Sequence, residues 1–237
     1  MMKKIYKIFM LLVLIAGIPA IQSCDLNDDD SGHYNNLGLA TVHKIKDSTD
    51  LYFLLETAKQ KLYPCNTNNT SLASTLKDSG RVWIGYNVTD MKTEGYDKTI
   101  DLINIQKILT KKVIDLTPSN EEEIGDNYME LLDFSITGKY LNLWCNIPVC
   151  DGNKTLVNVV NNTISEDPVK EDYVTLEFRC NAHDNEKCLI NYQQVMISFY
   201  IGDYVPEGKK GIFLRYNDRL TEKPKYICIT SDSFLID

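Results

Sequence analysis

The chain has 237 residues, with 33 acidic and 25 basic side chains and a formal net charge of −8. Lys and Arg never occur in runs longer than two, so the chain lacks the basic patch with which proteins neutralise nucleic-acid phosphates. We therefore expect no nucleic-acid partner. The length suits two small domains or one large β domain.

The N-terminus has the pattern of a secretory signal peptide. Lys3, Lys4 and Lys7 form a basic region, and an uncharged, mostly apolar run follows over residues 8–21. This run is shorter than the roughly 20 residues that cross a bilayer, but it suits the core of a signal peptide. A single membrane anchor is the alternative interpretation.

Cys24 lies three residues after the end of this apolar run. Ile21 and the small residue Ser23 before it resemble a bacterial lipobox. The resemblance implies a lipoprotein signal peptide over residues 1–23 and acylation of Cys24. The membrane would then be reached through a lipid anchor, in which each buried methylene contributes about 0.8 kcal/mol.

The residues after Cys24 are polar and acidic, and we assign 24–36 to an acidic tether. Such a segment cannot form a core, so it can act as a solvated spacer. A second interpretation rests on a resemblance to the export signal of bacterial surface lipoproteins, carried by residues Asn27, Asp28, Asp29 and Asp30. We expect an outer-membrane location at the cell surface, with a periplasm-facing protein as the alternative.

The first half of the remaining chain has the alternation of β-strands. We predict strands over residues 38–45, 50–57, 61–65, 81–90, 96–109 and 111–116. The pair 50–57 and 61–65 could also form a helix, but its aromatic residues favour a hairpin. In the strand 81–90, Val82, Ile84 and Tyr86 share one face, and Trp83 lies on the other.

A short helix is predicted between the two halves. Thr117 suits the N-cap and Pro118 the first helical position, and Gly125 suits the C-cap. Three glutamates between them lie where the helix dipole favours negative charge. We therefore place a helix from Pro118 to Ile124 and a domain linker over residues 119–127.

The second half is again β in character. The predicted strands cover residues 131–137, 139–147, 155–160, 172–180, 194–201, 211–217 and 225–230. Turn residues such as Asp151-Gly152 and Glu207-Gly208 separate them. Seven short strands over about 100 residues are typical of a β-sandwich.

Several of these segments together resemble the NigD-like lipoprotein family. The match is carried by SCDLNDDD (23–30), RVWIGYNV (81–88), INIQKILTKKVIDLTPSNEEEIGDN (103–127) and GKYLNLWCNI (138–147). The resemblance implies an all-β fold, with an OB-like Greek-key barrel over 37–118 and an immunoglobulin-like β-sandwich over 128–237. It implies no catalytic residues and no cofactor.

Aromatic residues in the first half suggest a ligand platform. OB barrels bind oligonucleotides or oligosaccharides on one sheet face and its loops. Trp83, Tyr86 and Tyr96 could provide such a stacking surface for a sugar or a peptide. Core packing is the alternative for each of them.

The segment from Cys180 to Cys188 has the highest density of potential metal ligands. Two facing cysteines beside a hairpin loop predict a disulfide between Cys180 and Cys188, or two free thiols. A zinc site with His183 and Asp184 is a weaker alternative, because the spacing matches no standard finger. A Cys–His catalytic pair is a third. We assign no metal ligand and no catalytic residue.

These observations favour a non-catalytic binding or interaction module on the cell envelope, with a surface glycan or a protein as its partner. Two alternatives remain. One is a hydrolase that acts on glycans or peptides, although the chain has no G-x-S-x-G motif. The other is a metal-binding protein that uses the Cys180–Cys188 loop.

Overall fold

The computed structural model describes residues 33–66, 74–150, 154–164, 168–183, 190–205 and 208–230. The predicted signal peptide, the lipidation site Cys24 and the export signal Asn27 to Asp30 lie outside the described residues. Within those ranges, no helix combines the length and the apolar character that crossing a membrane requires.

The first five strands form a barrel. They are β1 (Asn36–Lys44), β2 (Leu51–Leu55), β3 (Gln60–Pro64), β4 (Arg81–Val88) and β5 (Lys98–Lys107). The barrel closes in the order β1-β2-β3-β5-β4. Only the β3–β5 pair is parallel; the other pairs are antiparallel. This arrangement is the closed Greek-key barrel of the OB fold.

Side-chain alternation explains the barrel interior. Phe53 on β2 and Leu62 on β3 are fully buried in it, and the predicted hairpin between these two strands is confirmed. On β4, Val82 and Ile84 point inward. Trp83 lies between them and points outward, because successive side chains on a strand face opposite sides.

Nine further strands form a sandwich of two sheets. They are β6 (Leu109–Lys112), β7 (Ile114–Leu116), β8 (Glu130–Thr137), β9 (Tyr140–Cys150), β10 (Leu156–Asn162), β11 (Tyr173–Asn181), β12 (Ile190–Tyr200), β13 (Gly211–Asp218) and β14 (Lys223–Thr230). One sheet has the order β14-β13-β11-β10-β7, and the other has the order β6-β12-β9-β8. All seven strands predicted for the second half are present.

The two short strands that follow the barrel differ from the prediction. Residues 109–118 were assigned to the barrel, but β6 pairs in parallel with β12 and β7 pairs in parallel with β10. The last barrel strand therefore ends at Lys107, and Ile108 adds a final hydrogen bond from its N–H to the Arg81 carbonyl at 3.0 Å. The local sequence signals a strand here, whereas the sheet it joins depends on partners about 50 to 90 residues further along the chain.

The sandwich has one apolar core between its two sheets. Residues from β9, β12, β11 and β13 fill it, including Leu143, Phe178, Phe199 and Leu214, each fully buried. Phe178 and Phe199 meet edge to face at 5.9 Å between ring centroids, a geometry that aromatic pairs prefer. The all-β fold, an OB-like barrel followed by a β-sandwich, is confirmed.

The predicted linker contains the helix α1 (Glu121–Ile124). It begins three residues later than predicted, and Gly125 is its C-cap with a φ of 66°. Asn181 donates from Nδ2 to the Glu122 and Glu123 carbonyls at 3.1 and 2.9 Å. The end of the helix is therefore fixed to the sandwich by groups that would otherwise lack partners.

A candidate ligand groove between the barrel and the sandwich

Barrel and sandwich belong to a single compact unit, Tyr34–Asp237. They meet where the outer face of β4 lies against the outer face of the four-stranded sheet. The Trp83 indole N–H donates to Met196 Sδ on β12 at 3.1 Å, and Arg81 donates to Thr137 Oγ1 on β8 at 2.7 Å. Both contacts connect β4 to the sandwich.

The pleat of β9 decides which of its side chains reach this junction. Leu143 and Cys145 belong to the sandwich core, so the neighbouring Asn142, Trp144 and Asn146 point outward. Burial raises the pKa of the Cys145 thiol to about 12, as expected for a core cysteine. Asn142 is buried beneath the barrel, whereas Trp144 is 41% exposed.

One end of the junction is closed by a buried arginine. The Arg81 guanidinium forms an ion pair with Glu56 and donates to Thr41 Oγ1 at 2.6 Å. It also lies 4.9 Å from the centre of the Tyr140 ring on the sandwich, within the range of a cation–π contact. We call this group, Arg81, Glu56, Thr41, Thr137 and Tyr140, the arginine clamp.

Two further hydrogen bonds strengthen this end of the junction. Tyr140 donates from its hydroxyl to the Ser79 carbonyl of the barrel at 2.8 Å. Asn142 donates to Thr137 Oγ1 at 2.9 Å and accepts from Ser198 Oγ at 2.7 Å. These bonds connect the clamp to a polar network in which Asn142 and Ser198 are buried.

The other end of the junction is open. Here barrel and sandwich enclose a groove of about 230 Å³, which we call the tryptophan groove. Its walls are formed by Trp83, Gln106, Lys107, Ile108, Trp144, Gln194, Val195 and Met196. The chain has two tryptophans, and both lie in this groove although they belong to different domains.

The lining of the tryptophan groove combines aromatic and amide groups. Gln106 lies opposite Trp83 in the β4–β5 pair, and its side chain is exposed. On the sandwich wall, Trp144 lies opposite Met196 in the β9–β12 pair, with the exposed Gln194 two residues away. Flat apolar surfaces thus lie next to hydrogen-bonding groups that can both donate and accept.

A polar cluster continues the same sheet face away from the barrel. Glu130 accepts from Asn146 Nδ2 at 3.0 Å and from Arg219 at 2.7 Å. These hydrogen bonds, that from Asn146 first, hold the pKa of Glu130 below its usual range. Arg219 also lies 4.4 Å from the centre of the Tyr192 ring. Glu130 is therefore an ionised anchor rather than a proton donor.

The three aromatic residues predicted as one platform lie in three different places. Trp83 lines the tryptophan groove. Tyr86 is buried in the barrel core, as the alternation of its strand requires. Tyr96 packs against Tyr63 and Tyr52 on the outside of the barrel, with ring centroids at 5.0 and 5.6 Å. The platform therefore does not exist as a single surface of these residues.

The predicted cysteine pair is only partly described. Cys180 is buried in the sandwich core, and its thiol donates to the Asn127 carbonyl at 3.5 Å. Cys188 lies outside the described residues, and so does Asp184 of the alternative zinc site. Cys150, at the end of β9, is disulfide-bonded. The predicted Cys180–Cys188 disulfide is therefore wrong, because Cys180 keeps its thiol.

The described residues contain no group of three or more His, Cys, Asp and Glu side chains that could hold a metal ion. His183, one of the alternative zinc ligands, is exposed at the end of its strand. No metal centre can therefore be built from the part of the chain that the structure describes.

Two family models cover most of the chain. The NigD-like N-terminal OB domain matches residues 39–108, and the NigD-like C-terminal beta sandwich domain matches residues 112–230. This chain belongs to the NigD-like family. The comparison with curated proteins gives no match.

Solved structures with the fold of this NigD-like protein come from gut bacteria. A protein of unknown function from Bacteroides vulgatus is 24% identical, with a TM-score of 0.68 over 82% of this chain and 90% of its own. A NigD-like immunity protein from Bacteroides caccae is 15% identical, with a TM-score of 0.53 over 81% of this chain and 91% of its own. A provisionally assigned lipoprotein from Bacteroides fragilis is 14% identical, with a TM-score of 0.55 over 82% of this chain and 96% of its own. At these identities the likeness shows the fold alone.

Sequence reasoning missed two residues that matter most at the junction of this NigD-like protein. Trp144 lies in the predicted strand 139–147, where its outward position follows from the apolar residues on either side. Arg81 begins a predicted strand, but its partners Glu56 and Thr137 are 25 and 56 residues away. The outward position of Trp144 could have been predicted from alternation. The buried position of Arg81 has no signal in the local sequence.

Proposed function

We propose that this NigD-like protein is a lipid-anchored, non-catalytic binding module on the outer membrane, exposed at the cell surface, with its ligand site in the tryptophan groove. One observation carries the ligand site: the two tryptophans of the chain come from different domains and line the same groove. Ligand sites occur preferentially at domain interfaces and combine aromatic walls with a few polar groups.

The lining favours a carbohydrate ligand. Sugars have apolar C–H faces that pack on aromatic rings and hydroxyl groups that both donate and accept hydrogen bonds. Trp144 offers the ring, and Gln106 and Gln194 offer the amides. The net charge of −8 disfavours a polyanionic ligand. A neutral surface glycan fits these features best.

The non-catalytic part of the proposal is supported by Glu130, whose carboxyl group lies beside Asn146 on the same sheet face as the groove. Hydrolysis of a glycosidic bond needs a protonated carboxyl as general acid. Glu130 has the opposite property, because the hydrogen bonds from Asn146 and Arg219 keep it ionised. A hydrolase is therefore the weaker alternative.

The lipid anchor and the outer-membrane location are supported by the sequence around Cys24 and by the likeness to the Bacteroides fragilis protein. Cys24→Ala should release the protein from the membrane fraction of its host, because it removes the acylated residue. Protease added to intact cells should digest the domains. Retention of the variant in the membrane would contradict the anchor, and protection of the wild type would indicate a periplasmic protein.

The ligand site is tested by titrating the purified protein with neutral oligosaccharides. Binding should change the intrinsic fluorescence, because both tryptophans lie at the site. Trp144→Ala should weaken binding at least about tenfold, the loss of roughly 1.4 kcal/mol that is expected at a contact hot spot. Tyr173→Ala, on the opposite sheet, is the matched control. Equal affinity of the two variants would contradict the proposed site.

A further inference from the structure

We infer that the tryptophan groove is one end of a longer track, which takes a linear glycan along the outer face of β9 and β12. This inference rests on the proposed function, since it specifies the ligand of the same site. It is carried by the register of the two strands and by the side chains that follow the groove on the same face.

The register places a row of outward side chains beyond the groove. In the β9–β12 pair, Trp144 lies opposite Met196, Asn146 opposite Gln194, and Pro148 opposite Tyr192. All share the face that Trp144 occupies, because they are separated by two residues or paired directly. The row therefore leads from the groove to Tyr192 without a change of face.

The two ends of this row are aromatic and accessible. Trp144 and Tyr192 are each 41% exposed. They are separated by four residues of strand, which corresponds to roughly 14 Å along the sheet. A single sugar ring on Trp144 cannot also reach Tyr192, whereas a linear oligosaccharide can contact both.

The middle of the row is polar. Gln194 is exposed and can donate to and accept from hydroxyl groups. Asn146 donates its amide N–H to Glu130 at 3.0 Å, which turns its carbonyl oxygen away from that carboxylate. The track thus alternates an aromatic ring, an amide pair and a second aromatic ring.

The far end of the track is held in position before any ligand arrives. Arg219 packs on the Tyr192 ring at 4.4 Å, and Glu130 fixes Arg219 through a hydrogen bond of 2.7 Å. A side chain that is already immobilised loses little conformational freedom when a ligand binds. Tyr192 is therefore a preorganised second platform.

The track lies on the face of the sheet, where a ligand meets side chains rather than backbone groups. A peptide that adds to a sheet needs an edge strand with unpaired backbone groups. β9 is internal over Tyr140–Asn146, where β8 and β12 flank it, whereas β6 covers β12 only at Ile197–Tyr200. A ligand on this face must be recognised by side chains. The competing ligands are a proline-rich peptide, which docks on aromatic side chains, and an extended peptide that pairs with the edge of β12.

The test measures affinity as a function of ligand length. The probes are neutral, linear oligomers of glucose and of mannose, from disaccharide to hexasaccharide, with a polyproline peptide in parallel. For the wild-type protein, affinity should increase with length until the track is filled. Tyr192→Ala should weaken hexasaccharide binding at least about tenfold and disaccharide binding by a smaller factor. Trp144→Ala should weaken both.

The possible results separate the track from the groove. Hexasaccharides that bind no more tightly than disaccharides, or bind Tyr192→Ala as well as the wild type, would overturn the track and leave the groove as a site. Binding of none of the oligosaccharides would overturn both proposals. Binding of the polyproline peptide alone would also overturn both, and would assign the face to a protein partner.

Discussion

Arg81 and Trp83 lie two residues apart on β4, and both point from the barrel towards the sandwich, yet their surroundings differ. Arg81 is fully buried, with partners in both domains. Trp83 makes one hydrogen bond across the junction and otherwise borders an open groove. Arg81, at the start of β4, joins the two domains, whereas Trp83 on the same face of the strand remains available to a ligand.

This difference explains how a groove with walls from two domains can have a fixed width. Contacts between domains of one chain often allow relative motion. Here the arginine clamp closes one end with an ion pair and hydrogen bonds that exclude water, so the two walls next to it are held apart at a set distance. The width of the groove therefore depends on the contacts of the clamp, whereas those contacts do not involve the side chains that line the groove.

The largest expected effect is at the clamp itself. Arg81→Met leaves Glu56 as a buried carboxylate without its counter-ion, and breaking a buried pair in this way costs about 3–5 kcal/mol. Chemical denaturation should show this loss in the free energy of unfolding. The double variant Arg81→Met, Glu56→Leu should recover most of it, because an apolar replacement of both partners is often neutral. A single variant as stable as the wild type would contradict the role of the clamp.

A smaller effect is expected from the hydroxyl that connects the sandwich to the barrel. Tyr140→Phe keeps the ring beside Arg81 but leaves the Ser79 carbonyl without its hydrogen bond, at a cost of about 1–2 kcal/mol. The control is Tyr200→Phe, whose ring packs edge-on against Tyr140 and whose hydroxyl has no hydrogen bond among the described residues. Thermal unfolding should separate the two; equal melting temperatures would count against the connection.

The groove should contribute little to stability. Trp144→Ala removes a ring that is 41% exposed, so we expect a loss of about 1 kcal/mol or less in the free energy of unfolding. This outcome would show that the ring is positioned for contact rather than for packing. A loss as large as that of Arg81→Met would mean that the groove and the clamp form one structural unit.

The smallest effect depends on pH and concerns Glu130, beyond the groove. The pKa of Glu130 is lowered in the folded protein. The hydrogen bonds to its carboxylate therefore stabilise the fold fully above the unfolded-state pKa of about 4.3. This stabilisation is lost as the pH falls through the folded-state pKa. Glu130→Gln should therefore be less stable than the wild type at neutral pH, and the two should converge in acid. Urea titrations at several pH values would show this. Glu94→Gln is the control, and a gap that widened in acid would contradict the assignment.

Most of the fold could be predicted from local pattern. The strand 81–90 alternates apolar and polar residues, and the inward position of Val82 and Ile84 followed directly. The sheet that β6 and β7 join could not be predicted, because a parallel partner far along the chain leaves no trace in four residues. The seven strands of the second half were found because turn residues separate them.

The site was less predictable than the fold. Alternation places Trp83 and Tyr86 on opposite faces of their strand, so the two residues could not share one platform. That Trp83 and Trp144 line one groove depends on how two domains pack, and a single sequence does not contain that information. Arg81 is the extreme case, since this buried arginine is specified by Thr41 on β1, Glu56 in the turn after β2 and Thr137 on β8.

The segment Leu109–Leu116 sets a limit on how this protein can be divided. β6 is an edge strand of one sheet and β7 an edge strand of the other. A fragment that begins after the linker would lack both strands and would leave β12 and β10 without these pairing partners. Bare strands of this kind pair with neighbouring molecules and aggregate. The second domain can be produced or exchanged between relatives only with these eight residues attached, and their removal costs the first domain the hydrogen bond from Arg81 N–H to Thr110 Oγ1 at 3.0 Å.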